Sequence, residues 1–251
     1  MIEPQGIYIL WLRDLKRYFR ARSRVIGSLG MPFFFLAFLG TGFRRAEIPA
    51  LEGTSYIDFL TPGVVSMVIL FSSMFSGISI VWDRQFGFLR EILVAPVSRT
   101  TVALGRIFGG ATTSLLQGLL MMVVSLIIGF NPEPSGIIYS IIFMLLTSIA
   151  FTGLGITFST FMKDVHGFQL IINFFIFPVF FLSGAIFPLT EFPEWVRLLA
   201  LLNPLSYSVD GMRWSLIGYN EMNPFVDMAV PLIFSVFMIF IASYFFRRME
   251  T

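Results

Sequence analysis

Apolar residues come in long blocks separated by short polar connections. Six blocks qualify as membrane spans, at approximately 25–43, 62–82, 107–130, 137–162, 168–187 and 226–246, each near the roughly 20 residues that a helix needs to cross a bilayer. The alternating segments of a transmembrane barrel do not occur, and in hydrocarbon only helices and closed barrels satisfy their own backbone. The pattern predicts an all-α membrane protein with six transmembrane helices, whose even number places both termini on one side. Pro62 is expected at a helix start, where a missing N–H costs nothing. Pro32, Pro178 and Pro231 fall inside spans and are expected to kink them.

Two further segments read as helices that do not cross. Within residues 1–24, Ile7, Tyr8, Trp11, Leu12, Leu15, Tyr18 and Phe19 share one helical face, and Arg13, Lys16, Arg17, Arg20 and Arg24 share the other. This predicts an amphipathic helix in the cytoplasmic interface, apolar side in lipid and basic side toward anionic headgroups; a charge cluster that merely sets topology is the alternative. Residues 188–225 are too few for a folded domain and too apolar for a loop. Trp195, Leu198, Leu199 and Leu202 recur at helical spacing after Pro193, and Asn203-Pro204 breaks the pattern before a second run at 207–217. Two short re-entrant helices on the outer side fit this pattern, as does a hairpin lying flat on the membrane. The chain divides into an interface helix, 1–24, and a six-helix transmembrane domain, 25–251, with a cytoplasmic helix at about 83–99 and the outer segment at about 188–225.

Composition fixes the solvent. The 251 residues are 56% hydrophobic and 13% charged, with 31 Phe, whereas soluble domains carry about 25% charged residues. A soluble enzyme and a secreted disulfide scaffold are excluded, and a net charge of only +2 excludes an ordinary nucleic-acid binder. With no Cys there is no thiol chemistry and no thiolate metal site. The basic, amphipathic start is unlike a cleavable signal peptide. Orientation follows Lys and Arg. With the termini in the cytoplasm, Arg13, Lys16, Arg17, Arg20, Arg22, Arg24, Arg84, Arg90, Arg99, Arg106, Lys163, Arg247 and Arg248 lie inside, and only Arg44, Arg45, Arg197 and Arg213 lie outside. The outer face holds Glu47, Glu52, Asp58, Glu133, Glu191, Glu194, Asp210, Glu221 and Asp227. A multi-pass protein of the cell membrane with cytoplasmic termini is expected.

Candidate chemistry is sparse. Ionisable residues inside a membrane are costly and mark ion or proton pathways, yet Gln117 and Asn173 are the notable polar side chains of the spans, and Asp227 reads as interfacial. The single histidine, His166, lies in a short cytoplasmic turn after Lys163, so neither a metal cluster nor a Ser-His-Asp set is expected. Gly105 to Gly110 lacks the Gly-Lys-Ser/Thr of a phosphate loop. No enzyme activity, cofactor or metal is expected of this chain, and any nucleotide chemistry belongs to another. The place to receive such a partner is the connection from Asp83 to Arg106. Phe88, Leu89 and Ile92 can share a helix face there, with Arg84 and Glu91 on others, and Pro96 ends the helix; an amphipathic interfacial turn is the alternative. Gly105, Gly109, Gly153 and Gly155 permit close helix approach, within the chain or across a dimer. Asp210 and Arg213, three residues apart after Pro204, are expected to meet as an ion pair.

Three motifs stand in register over nearly the whole chain: Tyr56-Ile57-Asp58-Phe59-Leu60-Thr61-Pro62-Gly63; Arg90-Glu91 to Pro96-Val97-Ser98-Arg99 with Gly105-Arg106; and Leu202-Asn203-Pro204-Leu205-Ser206-Tyr207 with Asp210 and Arg213. In this combination the sequence resembles the type-2 ATP-binding-cassette (ABC) exporter permeases, most of all the daunorubicin-resistance type, with nodulation and polysaccharide or teichoic-acid exporters as cousins. The resemblance implies a homodimeric or heterodimeric permease gripped through a coupling helix by a separate ATPase subunit, which carries ATP and Mg. It implies coupling roles for Arg84, Phe88, Arg90, Glu91, Pro96 and Arg99, and an outer gate at Asn203, Pro204, Tyr207, Asp210 and Arg213. A Phe- and Met-rich wall without a charged pocket points to a hydrophobic or amphipathic cargo, drug-like or lipid. Export of a lipid-linked glycan and a non-transporting membrane scaffold are the alternatives.

Overall fold

A computed structural model describes residues 3–43, 51, 54–87 and 97–249. Among these, every regular element is a helix. Helices α1 (Pro4–Arg20) and α2 (Arg22–Gly42) are separated by Ala21 alone, whose backbone (φ −94°, ψ 52°) breaks the ladder. They are followed by α3 (Tyr56–Gln85), α4 (Arg99–Ile128), α5 (Ile137–Phe161) and α6 (Val165–Phe181). Then come α7 (Glu194–Leu201), α8 (Pro204–Ile217) and α9 (Pro224–Arg248). Ser98, Asp164, Asn203 and Asn223 cap α4, α6, α8 and α9, each side chain accepting an N–H of the first turn. Gly129 ends α4 at φ 111°, a left-handed conformation that Gly adopts without penalty.

Five of these helices, α2, α3, α4, α5 and α9, are long and apolar enough to cross a membrane. The sixth predicted span differs. Helix α6 stops at Phe181, and at 1.5 Å per residue it covers about 26 Å, short of the roughly 30 Å hydrocarbon core. Two causes are visible. Ile172–Ile176 form a wide π-turn just ahead of Pro178, which has no N–H to give to the ladder. Beyond Phe181 the chain turns through Gly184 at φ 72°, and the carbonyls of Gly184 and Ala185 are taken by Arg213. Helix α3 also differs, beginning at Tyr56, so that Pro62 lies inside it rather than at its start. Pro32 and Pro231 lie inside α2 and α9, as predicted.

Helix α3 is the centre of the packing: 78% of its most apolar window is buried, against α2, α4, α5 and α8. Small residues permit the approach. A Cβ on Gly77 would collide with the backbone of Gly155, and one on Gly153 would lie 3.0 Å from Met238 Cβ of α9. The close-packing glycines therefore serve contacts within the chain. On α4, a Cβ at Gly105 would lie 2.8 Å from Leu10, and one at Gly109 2.8 Å from Asp14, so these two glycines seat α1.

That seat changes the reading of α1. Helix α1 runs alongside α4: the Glu3 N–H donates to Thr101 Oγ1 (3.0 Å), Trp11 Nε1 to Thr112 Oγ1 (3.0 Å) and Tyr18 OH to Gln117 Oε1 (2.7 Å). Its predicted lipid side is shared, because Trp11 and Tyr18 turn toward α4 while Tyr8 and Phe19 stay exposed. Gln117, polar within a predicted span, is accounted for: its Nε2 donates to Val25 O (2.9 Å) and Ser28 Oγ (2.8 Å), holding the start of α2. The two short helices predicted before the last span are present as α7 and α8. Trp195, Leu198 and Leu199 on α7, and Leu202 just past its end, are exposed. Leu205, Val209, Met212 and Leu216 of α8 are buried in the main core.

Candidate functional site

Opposite charges converge where α1, α3 and α4 meet. Asp83, in the last turn of α3, accepts a hydrogen bond from the Arg106 guanidinium of α4 and lies 3.5 Å from Arg13 Nη2 of α1. Asp14 of α1 lies 3.6 Å from Arg106, 3.6 Å from Arg13 and 3.5 Å from Arg17. The Arg106 side chain is 2% exposed and that of Asp14 6%. Charges this deep persist only when paired. Burial, and then the Arg106 charge, lower the pKa of Arg13, opposed by Asp14 and Asp83. From the sequence Arg106 reads only as an orientation signal and Asp14 carries no role. The local signals are the neighbouring Arg13 and the i, i+3 spacing of Asp14 and Arg17, since Asp83 and Arg106 lie far along the chain.

Arg84 and Arg99, two of the predicted coupling residues, flank the α3–α4 connection. Arg84 Nη1 donates to Met162 O (3.0 Å) and Nη2 to Thr160 O (3.4 Å), at the C-terminus of α5. Arg99 Nη1 donates to Arg247 O (3.0 Å) and Met249 O (2.8 Å), at the C-terminus of α9. The last carbonyls of a helix have no partner within it, and a cation there also complements the helix dipole. The connection is thus fastened at one end to α5 and at the other to α9. Phe88, Arg90, Glu91 and Pro96 lie outside the described residues.

The predicted outer-gate residues fall on α8 and its junctions. Asn203 Oδ1 accepts the Leu205 N–H (3.0 Å) and Nδ2 donates to Val179 O (2.6 Å), joining α8 to α6. Pro204 opens α8, where no N–H is needed. Tyr207 OH donates to Leu201 O (2.8 Å), holding α7 to α8. Asp210 and Arg213 do not form the expected ion pair; among the described residues none joins them. Asp210 instead accepts the N–H groups of Glu221 (3.0 Å) and Met222 (2.8 Å), closing the α8–α9 turn. Arg213, 1% exposed, donates Nε to Phe59 O (3.0 Å) and Nη2 to Gly184 O (2.7 Å) and Ala185 O (2.9 Å), with its guanidinium 3.6 Å from the Phe59 ring centre. Irregular backbone at both places leaves buried polar groups that need partners, and each side chain is drawn to its own. Asp227, read as interfacial, is fully buried in the first turn of α9. In the α8–α9 turn, burial raises the pKa of Glu221 while Arg213 opposes the rise. Burial and then Glu221 push Tyr219 up to about 12.

Among the described residues no group of three or more His, Cys, Asp or Glu could hold a metal ion. The fold is that of a multi-pass, all-α membrane protein whose polar side chains tie helix ends together. Residues 5–217 match the family described as ABC-2 type transporter, and the chain belongs to that family. It is 31% identical over 217 residues to "Putative transport permease ycf38" of Pyropia yezoensis, covering 84% of this chain and 73% of that protein. It is 26% identical over 242 residues to "Inner membrane transport permease YadH" of Escherichia coli K12, covering 94% of this chain and 90% of that protein. To "Nodulation protein J" of Sinorhizobium fredii it is 26% identical over 242 residues, covering 95% and 92%. The chain is a membrane permease subunit of an ABC transporter, a transport subunit rather than an enzyme, and the family implies association with an ABC ATPase subunit.

Proposed function

We propose that this chain is the permease subunit of an ATP-driven exporter, moving a hydrophobic or amphipathic cargo, drug-like or lipid, outward across the cell membrane. Two permease subunits pair in the transporter, both termini of each are cytoplasmic, and ATP and Mg are handled by the partner ATPase. The observation that carries this reading is the fastening of the α3–α4 connection. Arg84 ties it to α5, Arg99 to α9, and the Asp83–Arg106–Asp14 contacts to α1. A partner docked on that one connection displaces the ends of five helices together. Phe88, Arg90, Glu91 and Pro96 supply the docking face, and Arg84 and Arg99 act as struts behind it.

The aromatic surfaces of α2 and α6 support this cargo class. Phe33, Phe34 and Phe38 on α2, and Phe174, Phe175 and Phe181 on α6, are all exposed, which suits an apolar cargo path and the second permease subunit that would enclose it. Asn203, Tyr207, Asp210 and Arg213 hold the outer end closed through backbone contacts, and Pro204 starts the helix that carries them. The test is co-expression with an ABC ATPase and ATP-dependent transport of a fluorescent hydrophobic dye in vesicles. Glu91→Ala with Phe88→Ala should weaken ATPase association or uncouple hydrolysis from transport, and unchanged association and transport would refute the docking role. Cysteines placed at Glu133 and Glu194 should react with an impermeant reagent from outside and those at Arg99 and Lys163 should not; the reverse pattern would overturn the orientation.

A further inference from the structure

A cavity of about 520 Å³ lies between the α1–α2 junction and the faces of α3 and α4. Its wall is apolar over most of its length, formed by Pro32 of α2 and by Met67, Phe71, Phe75, Ile78 and Trp82 of α3. From Met67 to Trp82 the wall extends about 22 Å at 1.5 Å per residue, more than the roughly 15 Å that one leaflet contributes to a hydrocarbon core of about 30 Å. A Cβ built on Gly27, which lines the same cavity, meets no atom within 4 Å. Gly27 is exposed, so the cavity is open at this side of α2 and a side chain can be added there without a clash.

At α1 the cavity meets Asp14 and its partner Arg17. Arg17 and Ala21 also line an adjoining recess, shared with Arg13, Lys16 and Arg20, and this recess is cationic. Around this point stand five cations, Arg13, Lys16, Arg17, Arg20 and Arg106, against two carboxylates, Asp14 and Asp83. Arg13, Arg17 and Arg106 are engaged with those carboxylates, whereas Lys16 and Arg20 have no carboxylate within 4 Å among the described residues. Beside lipid, unpaired cations recruit an anion.

We propose that this groove holds one resident anionic phospholipid, with its phosphate on Lys16 and Arg20 and an acyl chain between α2 and α3. A zwitterionic lipid lacks the net charge the recess calls for, and a purely apolar molecule would leave the two cations uncompensated. The lipid fills the gap beneath the α1–α2 break and wedges α2 against α3, beyond any role in moving cargo.

Native mass spectrometry of the full-length chain, released from micelles containing equal phosphatidylglycerol and phosphatidylcholine, tests this. One phosphatidylglycerol per chain should be retained in preference to phosphatidylcholine. Lys16→Gln with Arg20→Gln should lower that preference about thirty-fold, equivalent to ~2 kcal/mol at roughly 1 kcal/mol for each basic residue near an anionic headgroup. Gly27→Phe, which adds a ring at the open side of the cavity and leaves every cation in place, should weaken retention of the adduct, with circular dichroism confirming that the helices persist. Equal retention of the two lipids overturns the proposal. So does phosphatidylglycerol retained unchanged in Gly27→Phe, which would mark ordinary lipid on a basic surface. Displacement of the adduct by a neutral hydrophobic dye would mark the groove as a cargo site and would also overturn it.

Discussion

Arg106 of α4 joins three helices through one buried side chain. Its guanidinium, 2% exposed, lies between Asp83 of α3 and Asp14 of α1. Arg106→Ala leaves both carboxylates without their buried partner. Asp83 retains Arg13 at 3.5 Å, and Asp14 retains Arg13 at 3.6 Å and Arg17 at 3.5 Å. Those two arginine side chains are 37% and 42% exposed, so each compensates by less than about 1 kcal/mol. Breaking a buried pair by removing one partner costs about 3–5 kcal/mol, and the residual partners place Arg106→Ala near the lower figure. At roughly 2–4 °C per kcal/mol for a chain of this size, the melting midpoint should fall by about 6–12 °C. Tryptophan fluorescence of the detergent-purified chain reads it, because Trp11 reports the α1–α4 contact directly. Arg106→Lys should be intermediate, a point charge being unable to fork between two carboxylates. Asp14→Asn, Asp83→Asn and Arg106→Met combined should recover part of the loss, since no deeply buried charge is then stranded and Arg13 and Arg17, which lose their partners, are 37% and 42% exposed to solvent. A midpoint for Arg106→Ala within about 2 °C of the parent, or a triple variant no better than the single one, would refute the reasoning.

Arg213→Ala removes donors from three buried carbonyls, those of Phe59, Gly184 and Ala185, at about 1–3 kcal/mol for each group left unsatisfied; folded yield should drop sharply, and Asp210→Asn should not restore it, because no ion pair joins the two residues. Arg84→Ala and Arg99→Ala should each cost about 1 kcal/mol, at the low end for charged hydrogen bonds that are partly exposed, and hydrogen exchange should rise in the last turn of α5 for the first and of α9 for the second. Because burial raises the Glu221 pKa above its ordinary 4.5, the folded chain holds that proton more tightly than the unfolded chain. Its contribution is complete below pH 4.5 and is lost as the pH rises through the folded value. Glu221→Gln should therefore flatten the fall of the melting midpoint above pH 4.5, and an unchanged profile would refute this.

What the sequence determined is what periodicity and composition can encode locally. Long apolar blocks in a chain with 13% charged residues leave no soluble alternative, because a backbone in hydrocarbon must satisfy itself as helix. The N-terminal helix, the two short helices around Asn203-Pro204 and the caps at Ser98, Asp164, Asn203 and Asn223 are likewise local, each set by residues within a few positions of one another. The tertiary structure decided which polar groups meet. Nothing in local spacing pairs Asp14 with Arg106, Arg84 with the end of α5, or Arg213 with Gly184, since those partners come together only after the helices pack. The expected Asp210–Arg213 pair failed for the same reason: helical spacing brings two side chains to one face, but buried backbone carbonyls and N–H groups nearby compete for them. The short α6 has its cause in that same packing, where Pro178 breaks the ladder and Arg213, from a helix still to come, captures the carbonyls beyond it. A helix is written in its own residues, and its end in a membrane protein is written in whichever neighbour takes its unpaired backbone groups.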